Sequence, residues 1–307
     1  MSLAARVAEQ LGMPISELEP LPGGHSGLTY TTKAGSHQYV IKAVPPGQKP
    51  VGRNDVLRQA EILRTLTGSK VPVPGVVAVD ERPPAWFAME FADGEAIEPV
   101  LDAHTLAPEL ARSRMLEAAR VLRELHEVRS LPQAPTGAAS ELERWSRTMH
   151  AVPAELRPGA EDLLKRLEDV PADLPPVLVH GDFRLGNVLF AGERASAVVD
   201  WEIWSVGDAR VDLGWFLLFA DHRNFPQLGT EVPGLPTESE LLDAYLGERP
   251  VQLPEMRWFR ALSRMKMAAI MGHNLRRHRE GKHHDPDQER LPPTIAAMIR
   301  SAIEILS

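Results

Sequence analysis

The chain has no cysteine, so disulfides, thiolate metal sites and a cysteine nucleophile are excluded. It also lacks long hydrophobic runs. The clearest apolar stretch, Trp215 to Ala220, is far shorter than the roughly 20 residues needed to span a bilayer. The first twelve residues, MSLAARVAEQLG, hold no apolar segment of the secretory kind, which leaves a cytoplasmic location as the expectation. Positive charge is not in excess. With 34 basic and 42 acidic residues the net charge is −8, most of it beyond Glu95. A general nucleic-acid surface needs clustered Lys and Arg to neutralise phosphates, so neither nucleic acid nor membrane is expected as a partner. Over 307 residues, 43% hydrophobic and 25% charged residues are enough for a large buried core, which excludes a disordered or fibrous chain.

Twenty-seven prolines predict many short elements with defined breaks. Residues 3–12 read as a helix ended by Gly12 and Pro14. Residues 21–30 read as a strand, a glycine-rich turn and a second strand. Residues 38–44 read as a third strand, stopped by Pro45-Pro46. Val56, Leu57, Ala60, Leu63 and Leu66 give residues 54–67 a helical period. Strands are expected at 71–79 and 86–91. Beyond Asp93-Gly94 helical periodicity dominates, at 106–128, 142–150, 163–167, near Leu213, and at 238–246, 256–279 and 293–306. A β-rich island at 177–200 interrupts it.

That island carries the most chemistry. The apolar run Val177-Leu178-Val179 leads into His180-Gly181-Asp182-Phe183-Arg184-Leu185-Gly186-Asn187, and a second apolar run leaves it. After a turn, Ala197-Val198-Val199 ends in Asp200. Asp182, Asn187 and Asp200 each project from the end of an apolar element. Strands hold such groups rigidly, and carboxylate and amide oxygens suit a hard cation such as magnesium. Asp, Asn and Gly are also ordinary turn residues. The ordered set carries the information, not any single member.

His-Gly-Asp, four residues, Asn, and a second Asp after an apolar run resembles the pattern of the aminoglycoside phosphotransferase and choline kinase-like superfamily. The resemblance runs nearly the length of the chain. It is nearest to bacterial proteins grouped with aminoglycoside phosphotransferases and similar to the kinase-like domain attached to some acyl-CoA dehydrogenases. It implies an α+β, protein-kinase-like bilobal fold: a small antiparallel β-sheet N-lobe over 1–92 and a larger, mainly helical C-lobe over 93–307. It further implies that Asp182 is the catalytic base and that Asn187 and Asp200 hold Mg2+. Transfer of a γ-phosphoryl group independently calls for these types: a carboxylate to orient the attacking hydroxyl, and cations to bridge the phosphates. Gly207-Asp208 and Asp212-Leu213-Gly214 match the downstream pattern, whereas Trp201-Glu202 replace the Phe-Gly of protein kinases. His180 is expected to support the loop, and the role of Arg184 is open.

The N-lobe supplies the expected ATP side. Gly23-Gly24-His25-Ser26-Gly27 resembles the loop that covers phosphates, which makes Gly24, Ser26 and Gly27 candidate contacts. Lys42, at the end of Tyr39-Val40-Ile41, stands where kinase-like proteins place the lysine for the α- and β-phosphates. Its acidic partner should lie on helix 54–67. In the register set by Leu63 and Leu66 that position holds Gln59, and Glu61 lies about 200° around the helix. Either Gln59 makes a neutral hydrogen bond to Lys42 or Glu61 reaches it. By the resemblance, the Glu90 carbonyl and Ala92 amide meet the adenine edge with Met89 beside them. His126 is assigned to packing.

The expected activity is ATP-dependent phosphoryl transfer to a hydroxyl of a small-molecule acceptor. The alternatives are an inactive, nucleotide-binding regulatory module and a kinase for a hydroxy-acyl or other anionic metabolite. Arg276 to His284 is basic. It reads either as a contact for an anionic acceptor or as charge complementing a helix C-terminus.

Overall fold

A computed structural model describes the chain except for residues 22–27, 103–105, 131, 227, 250–251 and 283, and the side chain of Arg53. In chain order the first elements are α1 (Leu3–Leu11), β1 (Glu19–Pro20), β2 (Leu28–Ala34), β3 (His37–Ala43) and α2 (Val56–Leu66). They are followed by β4 (Val76–Asp80), β5 (Trp86–Glu90), α3 (Pro108–His126), α4 (Ala138–His150) and α5 (Ala160–Leu167). Next come β6 (Val177–Val179), β7 (Val188–Ala191), β8 (Arg194–Val198) and β9 (Ser205–Gly207). The chain ends with α6 (Ala209–Leu218), α7 (Glu238–Leu246), α8 (Met256–Arg279) and α9 (Pro292–Leu306). The class is α+β.

Two compact units result, one of Met1–Glu95 with Asn187–Trp204, the other of Ala96–Gly186 with Ser205–Ser307. The β7–β8 hairpin thus packs with the N-terminal sheet, although it lies far beyond a boundary drawn at residue 92.

In the first unit five antiparallel strands run in the order β1-β2-β3-β5-β4. β5 is buried over Trp86, Phe87 and Ala88, which makes it a central strand. Lys42 pairs across the ladder with Phe87, so the two side chains share a face with Met89. Asp55 caps α2 by accepting from Arg58 N, and Val56, Ala60, Leu63 and Leu66 bury one stripe. The β7–β8 hairpin is tied down by Val198 N to Pro72 O at 2.8 Å and by reciprocal Glu95–Phe190 backbone bonds. The Arg58 guanidinium lies 4.0 Å over the Trp204 ring.

In the second unit all ten residues of α6 are buried. Gly214 makes this possible, since a Cβ there would lie 2.6 Å from the Phe259 carbonyl oxygen of α8. Only glycine lets the two helices approach so closely.

The expected strand over 71–79 shrinks to Val76–Asp80, because Pro72 and Pro74 cannot donate to a ladder. Helix α3 begins at Pro108, not Leu106, with proline in the first turn where its missing N–H costs nothing. Helices α4 and α5 begin earlier than expected. Their first turns hold Ser140 and Glu141, and Glu161 and Asp162, which add no apolar period.

Candidate functional site

The first unit gathers three of the candidates, with Glu202, around one ammonium. Lys42 Nζ donates to Gln59 Oε1 at 3.0 Å, and lies 3.7 Å from Asp200 Oδ1 and 3.6 Å from Glu202 Oε1. Glu61 is exposed, as its helical angle requires, so Gln59 is the α2 partner of Lys42. A small cleft beside this cluster is lined by Lys42, Leu63, Pro74, Phe87, Met89 and Val199.

Asp200 has φ 65° and ψ 54°, the left-handed region that non-glycine residues seldom occupy. The bend is braced on both sides. Val199 N donates to Asn187 O at 2.9 Å, and Trp201 Nε1 to Val198 O at 2.9 Å. The carboxylate of Asp200 stays partly exposed, while Asn187 is buried at the start of β7. Such strain persists only where the surroundings enforce it, and it recurs at functional sites. Among the described residues no group of three or more His, Asp or Glu could hold a metal alone. One carboxylate and one amide oxygen still fit magnesium, which keeps waters and takes substrate phosphates as its remaining ligands.

Glu90 and Ala92 lie just past the cleft. Glu90 N donates to Gly75 O, and Phe91 N donates to Gln38 O at 3.0 Å. Gly24, Ser26 and Gly27 lie outside the described residues.

Asp182 belongs to the second unit, in a loop fixed from three directions. From α6, the Asp212 carboxylate accepts from His180 N at 2.7 Å and Gly181 N at 2.8 Å. Burial alone would raise the Asp212 carboxyl, but the His126 hydrogen bond and these amides outweigh it and hold it below the ordinary range. Also from α6, Trp215 Nε1 donates to Asp182 Oδ1 at 2.7 Å. From α8, Lys266 Nζ donates to the Gly181 carbonyl. Gly181 has φ 85°, which a side chain would resist. Arg184 Nε lies 3.7 Å from Asp182 Oδ1 and its Nη1 3.5 Å from Glu98 Oε2, so it bridges two carboxylates. Glu98 is buried and also accepts from Gly186 N at 3.1 Å. Burial pushes its carboxyl up to about 7 against the pull of Arg184 and that amide.

Sequence reasoning missed Glu202, Glu98, Trp215 and Lys266. Lys266 left a signal: one lysine between two methionines in the most apolar part of α8. Glu98 left another, a lone acid between Ile97 and Pro99. His126 is more than packing, since its imidazole bridges Tyr245 Oη at 2.9 Å and Asp212 Oδ2 at 3.3 Å. Much of the basic segment is paired, partly with groups outside it. Arg279 grips Glu289 with two hydrogen bonds, Lys282 lies 2.7 Å from Glu280, and Arg276 donates to Ala151 O. That pairing favours its structural reading.

The chain has relatives in sequence and in fold. Mouse acyl-CoA dehydrogenase family member 11 is 27% identical over an alignment covering 92% of this chain and 39% of that protein. The chain therefore spans about two fifths of that relative's length. Viomycin phosphotransferase of Streptomyces vinaceus is 29% identical over 62% of this chain and 70% of its own. A Ralstonia eutropha structure provisionally named an aminoglycoside phosphotransferase superposes with a TM-score of 0.77 at 21% identity, covering 98% of this chain and 97% of that one. Aminoglycoside phosphotransferase APH(4)-Ia, solved with ADP and hygromycin B, gives 0.63 at 19% identity over 98% and 99% of the two chains. The fold is therefore the kinase-like fold of the aminoglycoside phosphotransferases. No described helix is long and apolar enough to cross a membrane. The profile of the phosphotransferase enzyme family matches residues 17–262, and the chain belongs to that family.

Proposed function

We propose that the protein is an ATP-dependent, magnesium-requiring phosphotransferase acting on a hydroxyl of a small molecule. The observation that carries this reading is the cluster of Lys42, Gln59, Asp200 and Glu202 at the polar end of an apolar cleft. Lys42 binds the α- and β-phosphates, and Met89 and Phe87 flank the adenine, whose edge meets the Glu90 carbonyl and Ala92 amide. Asn187 and Asp200 would hold magnesium, which neutralises charge developing on the phosphate oxygens. Asp182 accepts the proton of the attacking hydroxyl, its carboxylate oriented by the Trp215 N–H.

A structure solved with ADP and hygromycin B and a family named for phosphoryl transfer support the reaction class. The acceptor is a separate matter. Resemblance to acyl-CoA dehydrogenase family members favours a hydroxylated acyl compound over an aminoglycoside. Calorimetry with ATP and magnesium tests the nucleotide half of the proposal. Binding that depends on magnesium and is lost in Lys42→Met supports it, and equal affinity in Lys42→Met contradicts it.

A further inference from the structure

Lys266 is one of the few charged groups buried in the second unit. Its ammonium sits 3.8 Å over the Trp215 ring and 5.1 Å from that of Trp145, and donates to the Gly181 carbonyl. Among the described residues no carboxylate lies within ion-pairing distance of it. Each indole instead passes its N–H to an acid: Trp215 to Asp182 Oδ1 at 2.7 Å, and Trp145 to Glu141 Oε2 at 2.9 Å.

A buried ammonium without a contacting anion is costly, and packed hydrophobic residues would be cheaper. Burial pushes the Lys266 ammonium below the ordinary lysine range, opposed by the charges of Asp182, Glu141 and Asp212 and helped by Arg144. The two indole faces offset part of that cost through cation–π attraction. A cation over an indole draws electron density from the ring and makes its N–H a stronger donor. The Asp182 carboxylate is therefore gripped harder because Lys266 is charged. The same ammonium fixes the Gly181 peptide, one residue before Asp182.

We propose that Lys266 is a positioning residue for Asp182, acting through the Trp215 indole and the Gly181 carbonyl. It touches neither nucleotide nor acceptor. The proposal rests on Asp182 being the base, but part of its test is independent of that reading.

The test uses the full chain, with ADP release from magnesium-ATP as the activity and water as the only acceptor. Lys266→Met lowers turnover at least tenfold and leaves the KM for ATP within about twofold. Equal turnover, or a loss carried by KM, overturns the proposal. The independent arm is the indole N–H resonance of Trp215 in 15N-labelled protein, assigned by its absence in Trp215→Phe. Lys266→Met moves that resonance in the same direction as Asp182→Ala does. An unmoved resonance in a folded variant overturns the proposal, because a merely structural lysine would change stability alone. Lys266→Gln keeps a donor for the Gly181 carbonyl and removes only the charge. It carries both readings should the Met variant fail to fold. If the wild-type protein releases no ADP, the phosphotransferase reading fails while the resonance still decides the role of Lys266.

Discussion

Lys42 Nζ lies 3.6 Å from Glu202 Oε1 and 3.0 Å from Gln59 Oε1, so the acid that α2 does not turn toward Lys42 comes from the segment after β8. A neutral amide orients an ammonium less strongly than a carboxylate does. Glu202 is itself mostly buried, where its charge acts with little screening.

Glu202→Gln should therefore weaken ATP binding about tenfold, or roughly 1.4 kcal/mol, measured by calorimetry with magnesium present. Adding Gln59→Glu to that variant should recover most of the loss by returning an acid to the other side of Lys42. Wild-type affinity in Glu202→Gln would remove Glu202 from the site.

The two aspartates should separate by phenotype. Asp182→Ala should cut turnover by a factor on the order of 10² to 10⁴, the usual worth of a general base, with ATP affinity within about threefold. Asp200→Asn should instead abolish the magnesium dependence of ATP binding. Steady-state kinetics and calorimetry on the same preparations distinguish them, and identical phenotypes would contradict the assigned roles.

Glu98 makes stability depend on pH. Its carboxyl is pushed up to about 7, by burial first, whereas an unfolded glutamate titrates near about 4.3. A folded value above the unfolded one gives stability that is complete below pH ~4.3 and lost as pH rises through about 7. The separation corresponds to roughly 4 kcal/mol. Glu98→Gln does not titrate, so its melting temperature should gain on the wild type between pH 5 and pH 8. A difference that stays constant across that range would show that Glu98 is already ionised in the folded protein at pH 5 and contradict the raised value.

Gly214→Ala should destabilise the second unit by about 1–3 kcal/mol. The new methyl meets the Phe259 carbonyl at 2.6 Å and Ser263 Oγ at 2.8 Å, and the Phe259 backbone cannot yield without moving a helix. Thermal unfolding measures the loss. An unchanged melting temperature would mean that α6 and α8 can separate at no cost.

What could be read from the sequence was local. The family resemblance, in the register of Leu63 and Leu66, offers Gln59 or Glu61 as partner of Lys42, and the structure has the Gln59 contact. The apolar runs flanking Asp182 and Asn187 are strands, and the run ending at Val198 is another. The groups that sequence reasoning missed act over long separations. Lys266 meets Gly181 from α8, and Glu98 meets Gly186 from far upstream. No periodicity encodes such pairings: a lone charge in an apolar segment marks Lys266 or Glu98 as unusual but does not name its partner. The basic segment keeps two readings in the sequence for a related reason: its counter-charge Glu289 sits outside the run. Prolines, by contrast, acted locally, and discounting Pro72 and Pro74 would have shortened the expected strand.

The central claim is phosphoryl transfer dependent on Asp182. Its most direct test incubates wild-type protein and Asp182→Ala with magnesium-ATP and a panel of aminoglycosides, choline-like amines and hydroxy-acyl thioesters, and reads ADP release alongside the mass of each acceptor. The account predicts at least one phosphorylated acceptor with the wild type and none with the variant. Equal yields of the same phosphorylated acceptor from both proteins would contradict it.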